Sequence, residues 1–217
     1  MGSTNDNQLT TMRIRVKFAK TEPMRFTSHL DLYRAWERLL RRADLSLVFS
    51  QGYNPRPKLQ LAAPLALGIT SQAEIIDFWL DNSGDDLKEI TTKLLAAQPP
   101  GIEVKSIESI DPGAPALQKQ VSAADYQVIL LDPVQHLDQK IESLLSSEEL
   151  IRQRRDKTYD LRPLILRLGF EQAESQFLQM SLSAREGSTG RPEEVLLALE
   201  IAPENTRIER TQIIFQK

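Results

Sequence analysis

A chain of 217 residues has room for one large domain or two small ones, and its 41% hydrophobic and 26% charged content is ordinary for a soluble globular protein. The absence of cysteine excludes disulfides, thiolate zinc centres, thiol nucleophiles and cysteine-ligated iron–sulfur clusters, and the two histidines are too few for a His-rich metal centre, so no metal and no cofactor is expected. The formal net charge of −3 hides a segregation. Between Met12 and Gln60 the cations Arg13, Arg15, Lys17, Lys20, Arg25, Arg34, Arg38, Arg41, Arg42, Arg56 and Lys58 face only Glu22, Asp31, Glu37 and Asp44. Segregated charge of this kind concentrates anionic partners at a surface.

Met1 to Thr11 is polar, without a signal-type apolar stretch, and reads as a disordered tail. No apolar run approaches the roughly 20 residues that cross a bilayer, so the expected setting is the cytoplasm, without a membrane partner. Arg13 to Ala19 alternates, with Ile14, Val16 and Phe18 on one face, which predicts a half-buried strand. A helix is predicted from Ser28, with Asp31 as a capping-box-like acid and Leu32, Trp36, Leu39, Leu40 and Ala43 inward. The loop Ser50–Lys58 follows. Lys58–Leu65 and Ala73–Asp81 read as strands, Asp85–Ala97 as a helix and Ile102–Ile110 as a strand.

The stretch 112–124, with Pro112, Gly113 and Pro115, has the composition of a linker. The same order then recurs. Tyr126–Leu131 is expected as a strand and Pro133–Leu145 as a helix. Thr158–Phe170 and Phe177–Ala184 are expected as a hairpin pair, Pro192–Leu199 as a short helix and Arg207–Phe215 as a closing strand. The predicted fold class is therefore α+β, with tandem ferredoxin-like β-α-β-β-α-β domains over 12–111 and 125–217. A single α+β domain with one continuous sheet is the alternative.

Within this frame Arg34, Arg38, Arg41 and Arg42 recur at helical spacing opposite Leu32, Trp36 and Leu39. The arginine fork suits phosphate because it donates in pairs. The loop Gly52-Tyr-Asn-Pro-Arg-Pro-Lys58 offers Tyr53 for stacking on a base and Arg56 and Lys58 for phosphates, the usual combination for single strands. Arg25 and His29 stand at the helix entrance, and Arg152, Arg154 and Arg155 extend the basic set in the second half. These twelve residues form the expected nucleic-acid-binding surface. The competing reading for each is an ordinary solvated face, a rigid turn or a locally bonded histidine. Asp160 with Arg162, and Arg207 with Glu209 and Arg210, are expected as interdomain or hairpin ion pairs. No catalytic constellation emerges.

Arg25-Phe-Thr-Ser-His-Leu-Asp31, the Arg41-Arg42 helix end and Gly52-Tyr-Asn-Pro-Arg-Pro-Lys58 resemble a radical-SAM-associated domain of unknown function. Its later blocks are resembled by Tyr159-Asp-Leu-Arg-Pro-Leu-Ile165, Arg191-Pro-Glu-Glu-Val-Leu196 and Arg207-Ile-Glu-Arg-Thr211. Arg56 stands where that family commonly has histidine, which argues against a general base at this position. The resemblance implies a setting in RNA processing or modification, beside a radical-SAM enzyme or a ribonuclease. Without cysteine the chain itself cannot carry the radical-SAM cluster. The resulting expectation is a non-catalytic RNA-binding accessory protein. Its rivals are a protein–protein adaptor for such an enzyme that never touches RNA, and a metal-independent endoribonuclease using His29.

Overall fold

The computed structural model describes residues 11–81, 86–154, 156–172 and 176–216. The tail expected over 1–11 lies outside them except for Thr11, which opens the first strand. The first half contains β1 (Thr11–Lys20), α1 (His29–Arg42), β2 (Leu59–Leu61), β3 (Thr70–Asp81), α2 (Leu87–Ala97) and β4 (Ile102–Ile110). A short α3 (Leu117–Gln120) leads into β5 (Val121–Leu130), α4 (Leu137–Ser146), β6 (Ile151–Arg154), β7 (Lys157–Asp160) and β8 (Ile165–Gln172). Then come β9 (Gln176–Arg185), β10 (Ser188–Thr189), α5 (Pro192–Ala198) and β11 (Thr206–Phe215).

Alternation in β1 sends Ile14, Val16 and Phe18 to one face, where each is fully buried. Leu32, Ala35, Trp36, Leu39 and Leu40 of α1 cover them, and the Trp36 ring meets Phe18 edge-on at 4.8 Å between centroids. Ser28 caps α1 by accepting from Asp31 N at 3.2 Å, while its hydroxyl donates to the Asp31 carboxylate at 2.7 Å. The helix gives way at Asp44, whose φ of 52° turns the chain into the left-handed region.

A nine-stranded mixed sheet runs β4-β1-β3-β11-β5-β9-β10, with β2 added to β3 and β8 to β9. Every pairing in it is antiparallel except β11 with β3, where Glu209 and Arg210 lie beside Thr70 and Ser71. The first half is thus ordered β4-β1-β3-β2 and the second β11-β5-β9-β8. A β-α-β-β-α-β chain gives this order when its helices cover one face. Two large cores form, one around Trp36 and Phe78 and one around Val128, Leu178 and Leu196, the latter also taking in Leu65 and Ile69 from the first half.

Three expectations are corrected. The strand expected from Tyr126 begins already at Val121, because α3 occupies the middle of the supposed linker and Leu117 is wholly buried. The strand expected over Thr158–Phe170 is broken by a tight turn at Arg162–Leu164 that carries Pro163 at its start. Asp160 Oδ1 stabilises that break by accepting from the backbone of Leu150 at 2.8 Å and of Arg162 at 2.9 Å. Residues β6 and β7 then pair only with each other, as a small separate ladder. The strand expected over Lys58–Leu65 shrinks to three residues, since β11 takes the rest of the β3 edge.

Candidate nucleic-acid interface

The helix α1 packs its apolar stripe inward, which leaves Arg34, Arg38, Arg41 and Arg42 exposed on its outer side. Arg34 reaches Asp31 one turn back at 3.2 Å, with both side chains more than half exposed. The Asp31 carboxyl is held below its usual range by the Ser28 hydroxyl, with Arg34 assisting. Such an open pair is worth only about 0–1 kcal/mol and yields readily to a stronger anion. Arg38 and Arg41 have no ion-pair partner among the described residues. Arg42 differs, because its Nε donates to Ala97 O at 3.0 Å and its Nη2 bonds the same carbonyl. It ties the end of α1 to the end of α2.

Beyond α1 the chain forms a hairpin at the β3 edge. Ser46 and Val48 bond to β3 at Asp81 and Trp79, and Lys58 N donates back to Val48 O at 2.8 Å. Phe49 pairs with Pro57, and Ser50 accepts from Arg56 N through its hydroxyl at 3.1 Å. This frame holds residues 51–54 outward, and Tyr53 stands fully exposed at the tip. Lys58 Nζ sits 4.3 Å from the centre of the Trp79 ring, a cation–π placement that orients it. Tyr33 on α1 donates to Pro57 O at 3.5 Å. Burial raises the Tyr33 pKa, Glu37 adding and Arg56 opposing. Helix and loop therefore meet at Tyr33, with Arg56 within electrostatic reach of its ring, whereas Lys58, over Trp79 beside Arg13, lies on the sheet face opposite α1.

Other cations of the basic segment lie inside. Arg13 donates to Asp77 and to the carbonyls of Ala114 and Pro115, and Arg15 donates to the same carboxylate at 2.8 and 2.9 Å. Segment 114–120 covers this face of the sheet, turning what alternation predicts as a solvated row into an interior cluster. Lys20 is buried, with its ammonium on Arg25 O at 3.1 Å and Ile69 O at 3.0 Å. Only Lys17 of this strand's cations stays exposed.

Arg25 is half-buried, its Nε donating to Gly68 O at 2.8 Å and its guanidinium lying over the Phe26 ring. His29 is half-buried as well. Its Nδ1 is shielded without a partner, and burial lowers its pKa, with Glu74 opposing and Arg210 assisting. That shift favours the neutral imidazole and works against His29 as a cationic phosphate contact. In the second half Arg154 is exposed, Arg152 is half-buried with a shielded Nε, and Arg155 lies outside the described residues.

The strongest charge pair in the molecule is one that spacing alone does not reveal. Arg210 on β11 and Glu74 on β3 are both buried and joined by three short hydrogen bonds of 2.5–2.8 Å. Arg210 also donates to Ala63 O and Pro64 O, each at 3.2 Å. Arg210 on β11 is thus paired with Glu74 on β3, a partner outside the Arg207, Glu209 and Arg210 block. Arg162 instead donates to Leu145 O, and bonds Asp160 only through its backbone N–H. Among the described residues no group of three or more His, Asp or Glu side chains is placed to hold a metal, and no helix is long and apolar enough to cross a membrane.

Similarity to solved structures is remote. A chain of a Cbf5–Nop10–Gar1 complex aligns over 93% of this protein and 48% of its own length, at 11% identity and a TM-score of 0.47. The present chain thus spans about half the length of that protein. An unknown protein from Galdieria sulphuraria aligns at 14% identity over 96% of this chain and all of its own, with a TM-score of 0.29. The acetolactate synthase small subunit from Thermotoga maritima aligns at 13% identity over 95% of this chain and 96% of its own, with a TM-score of 0.26. Likenesses at this level say nothing about function. No curated protein matches the chain. A family model does match, over residues 13–192, and the chain belongs to that family, described as an uncharacterized protein conserved in bacteria (DUF2344).

Proposed function

We propose that this protein is a non-catalytic RNA-binding accessory protein whose main surface is the exposed side of α1 and the 46–58 hairpin. The observation that carries the reading is the tie between them, Tyr33 to Pro57 O, which sets a row of solvent-facing arginines beside the hairpin that carries Arg56 and an outward Tyr53. Phosphates of a flexible strand would lie along Arg34, Arg38 and Arg41, with Arg56 continuing the track and one base stacking on Tyr53, while Lys58 stands on the far face over Trp79. The hairpin's cross-strand bonds and two prolines limit the entropy lost on binding. Arg25 and Arg42 serve this surface chiefly as supports. In the same reading each half is a ferredoxin-like unit, fused through β3 and β11; the two strand orders support it. A cytoplasmic setting beside a radical-SAM enzyme or ribonuclease fits the resemblance of the sequence blocks.

Crosslinking of the full chain to short RNA, with Tyr53→Ala as the probe, tests this. Loss of a stacked base should weaken binding by about 1–3 kcal/mol and remove the crosslink at position 53. Unchanged affinity and crosslinking in that variant would contradict the site.

One observation favours the adaptor reading as second. Phe26, Leu30 and Leu67 are 73%, 53% and 60% exposed, and a Cβ placed on Gly68, next to Leu67, would lie 3.9 Å from the Phe26 ring. An apolar patch beside a basic face suits a protein partner as well. A pull-down with Phe26→Ser that loses the enzyme partner while RNA binding persists would favour it.

A further inference from the structure

Away from α1, the small β6–β7 ladder leans over β10 and the start of α5 and encloses a groove of about 970 Å³. Arg154, Lys157 and Arg191 line it, with Tyr159 and Thr189 between them. None of these three cations has an ion-pair partner among the described residues. Two acids, Asp156 and Asp160, line the groove as well. Asp160 Oδ1 is already engaged by two backbone N–H groups, Asp156 stands exposed beside the ladder's turn, and Glu194 acts on Tyr159. Burial raises the Tyr159 pKa, Glu194 adding, while Arg154, Arg191 and Arg152 oppose it, which places three arginines within electrostatic reach of one half-buried ring.

An unpaired cation on a flat surface is merely solvated, but here several converge on a concavity with an aromatic wall. Ligand sites commonly occupy about 300–1,000 Å³. The space far exceeds a bare phosphate, and phosphate alone has no use for the ring. We infer that the β6–β7 groove is a second binding site, for a phosphorylated nucleoside, with the phosphate on Arg191, Lys157 and Arg154 and the base against Tyr159. The site is separate from the α1 surface and does not need it. The same chemistry is offered by a free mononucleotide and by one residue of an RNA strand.

Calorimetric titration of the full chain at low salt, with adenosine monophosphate, oligoadenylate, inorganic phosphate and a hexaglutamate peptide, tests this. Adenosine monophosphate should bind more tightly than inorganic phosphate. Lys157→Ala and Arg191→Ala should each weaken it roughly tenfold, as expected for loss of one charge-assisted contact. Lys157 is exposed, so its replacement leaves folding intact. Tyr159→Ala should weaken the nucleotide and leave phosphate unaffected. Tighter oligoadenylate binding supports the site and marks an RNA strand as the source, whereas equal affinity supports it with the free nucleotide. A triple Arg34→Ala, Arg38→Ala, Arg41→Ala variant should bind adenosine monophosphate like the parent, so failure of the α1 reading leaves this site standing. Absence of nucleotide binding, binding indifferent to Lys157→Ala and Arg191→Ala, or hexaglutamate binding as tight as the nucleotide would overturn the inference.

Discussion

Lys20 shows how a single side chain escapes its sequence signature. It ends a strand that reads as alternating charged and apolar, yet its ammonium is interior, with Arg25 O and Ile69 O as acceptors. Burial lowers its pKa from 10.5 to about 8, partly offset by Glu74 and reinforced by Arg210. Between those two pH values the unfolded chain binds the proton more than the native one does, so native stability rises with pH there. Urea unfolding from pH 8 to 10.5 should show that rise in the parent and a flatter profile in Lys20→Met; identical profiles would contradict the assignment. Alternation places Arg13, Arg15 and Lys17 on one face correctly. It carries no information about what crosses that face, and here residues 114–120 bury Arg13 and Arg15 around Asp77. Tyr53, Arg38 and Arg41 were legible as exposed because nothing packs beyond their own elements.

Elements with a strong local pattern are the ones the sequence discloses. The Ser28–Asp31 cap and the Leu32–Trp36–Leu39 stripe locate α1, and Asp86, which accepts from Glu89 N at 2.7 Å, fixes the start of α2. Elements made by distant partners are not disclosed. The β6–β7 ladder depends on the Asp160 turn, and β2 is short because β11 arrives at the β3 edge from across the chain. The entry to β4 depends on a glycine in a left-handed conformation. Gly101 has φ of 92°, and a Cβ there would stand 2.5 Å from Met24 Cγ and 3.0 Å from Met24 N. Both the conformation and the missing space exclude a side chain. Gly101→Ala should therefore cost more than about 1 kcal/mol in denaturant unfolding. A neutral effect would show that the Met24 turn moves freely.

At the scale of the whole molecule, one parallel pairing and one buried ion pair link the β4-β1-β3 and β11-β5-β9 parts of one continuous sheet. The main strands and helices were readable from periodicity, but the seam was not, since nothing in the spacing of Glu74 and Arg210 marks them as neighbours. Removing one member leaves the other charged and buried, so Arg210→Met should destabilise by about 3–5 kcal/mol. Arg210→Met with Glu74→Leu should lose less than the two single variants added together, measured by a double-substitution cycle. Strict additivity would mean that the pair does not hold the seam. The functional claim rests on the opposite side of the charge distribution, the cations left in solvent. Its most direct test is the salt dependence of RNA affinity for the parent and for the triple variant Arg34→Ala, Arg38→Ala, Arg41→Ala, each first shown to be folded. Three lost phosphate contacts on a single strand should lower the slope of log affinity against log salt by about 2, whatever the RNA sequence. An unchanged slope at unchanged affinity would contradict the account.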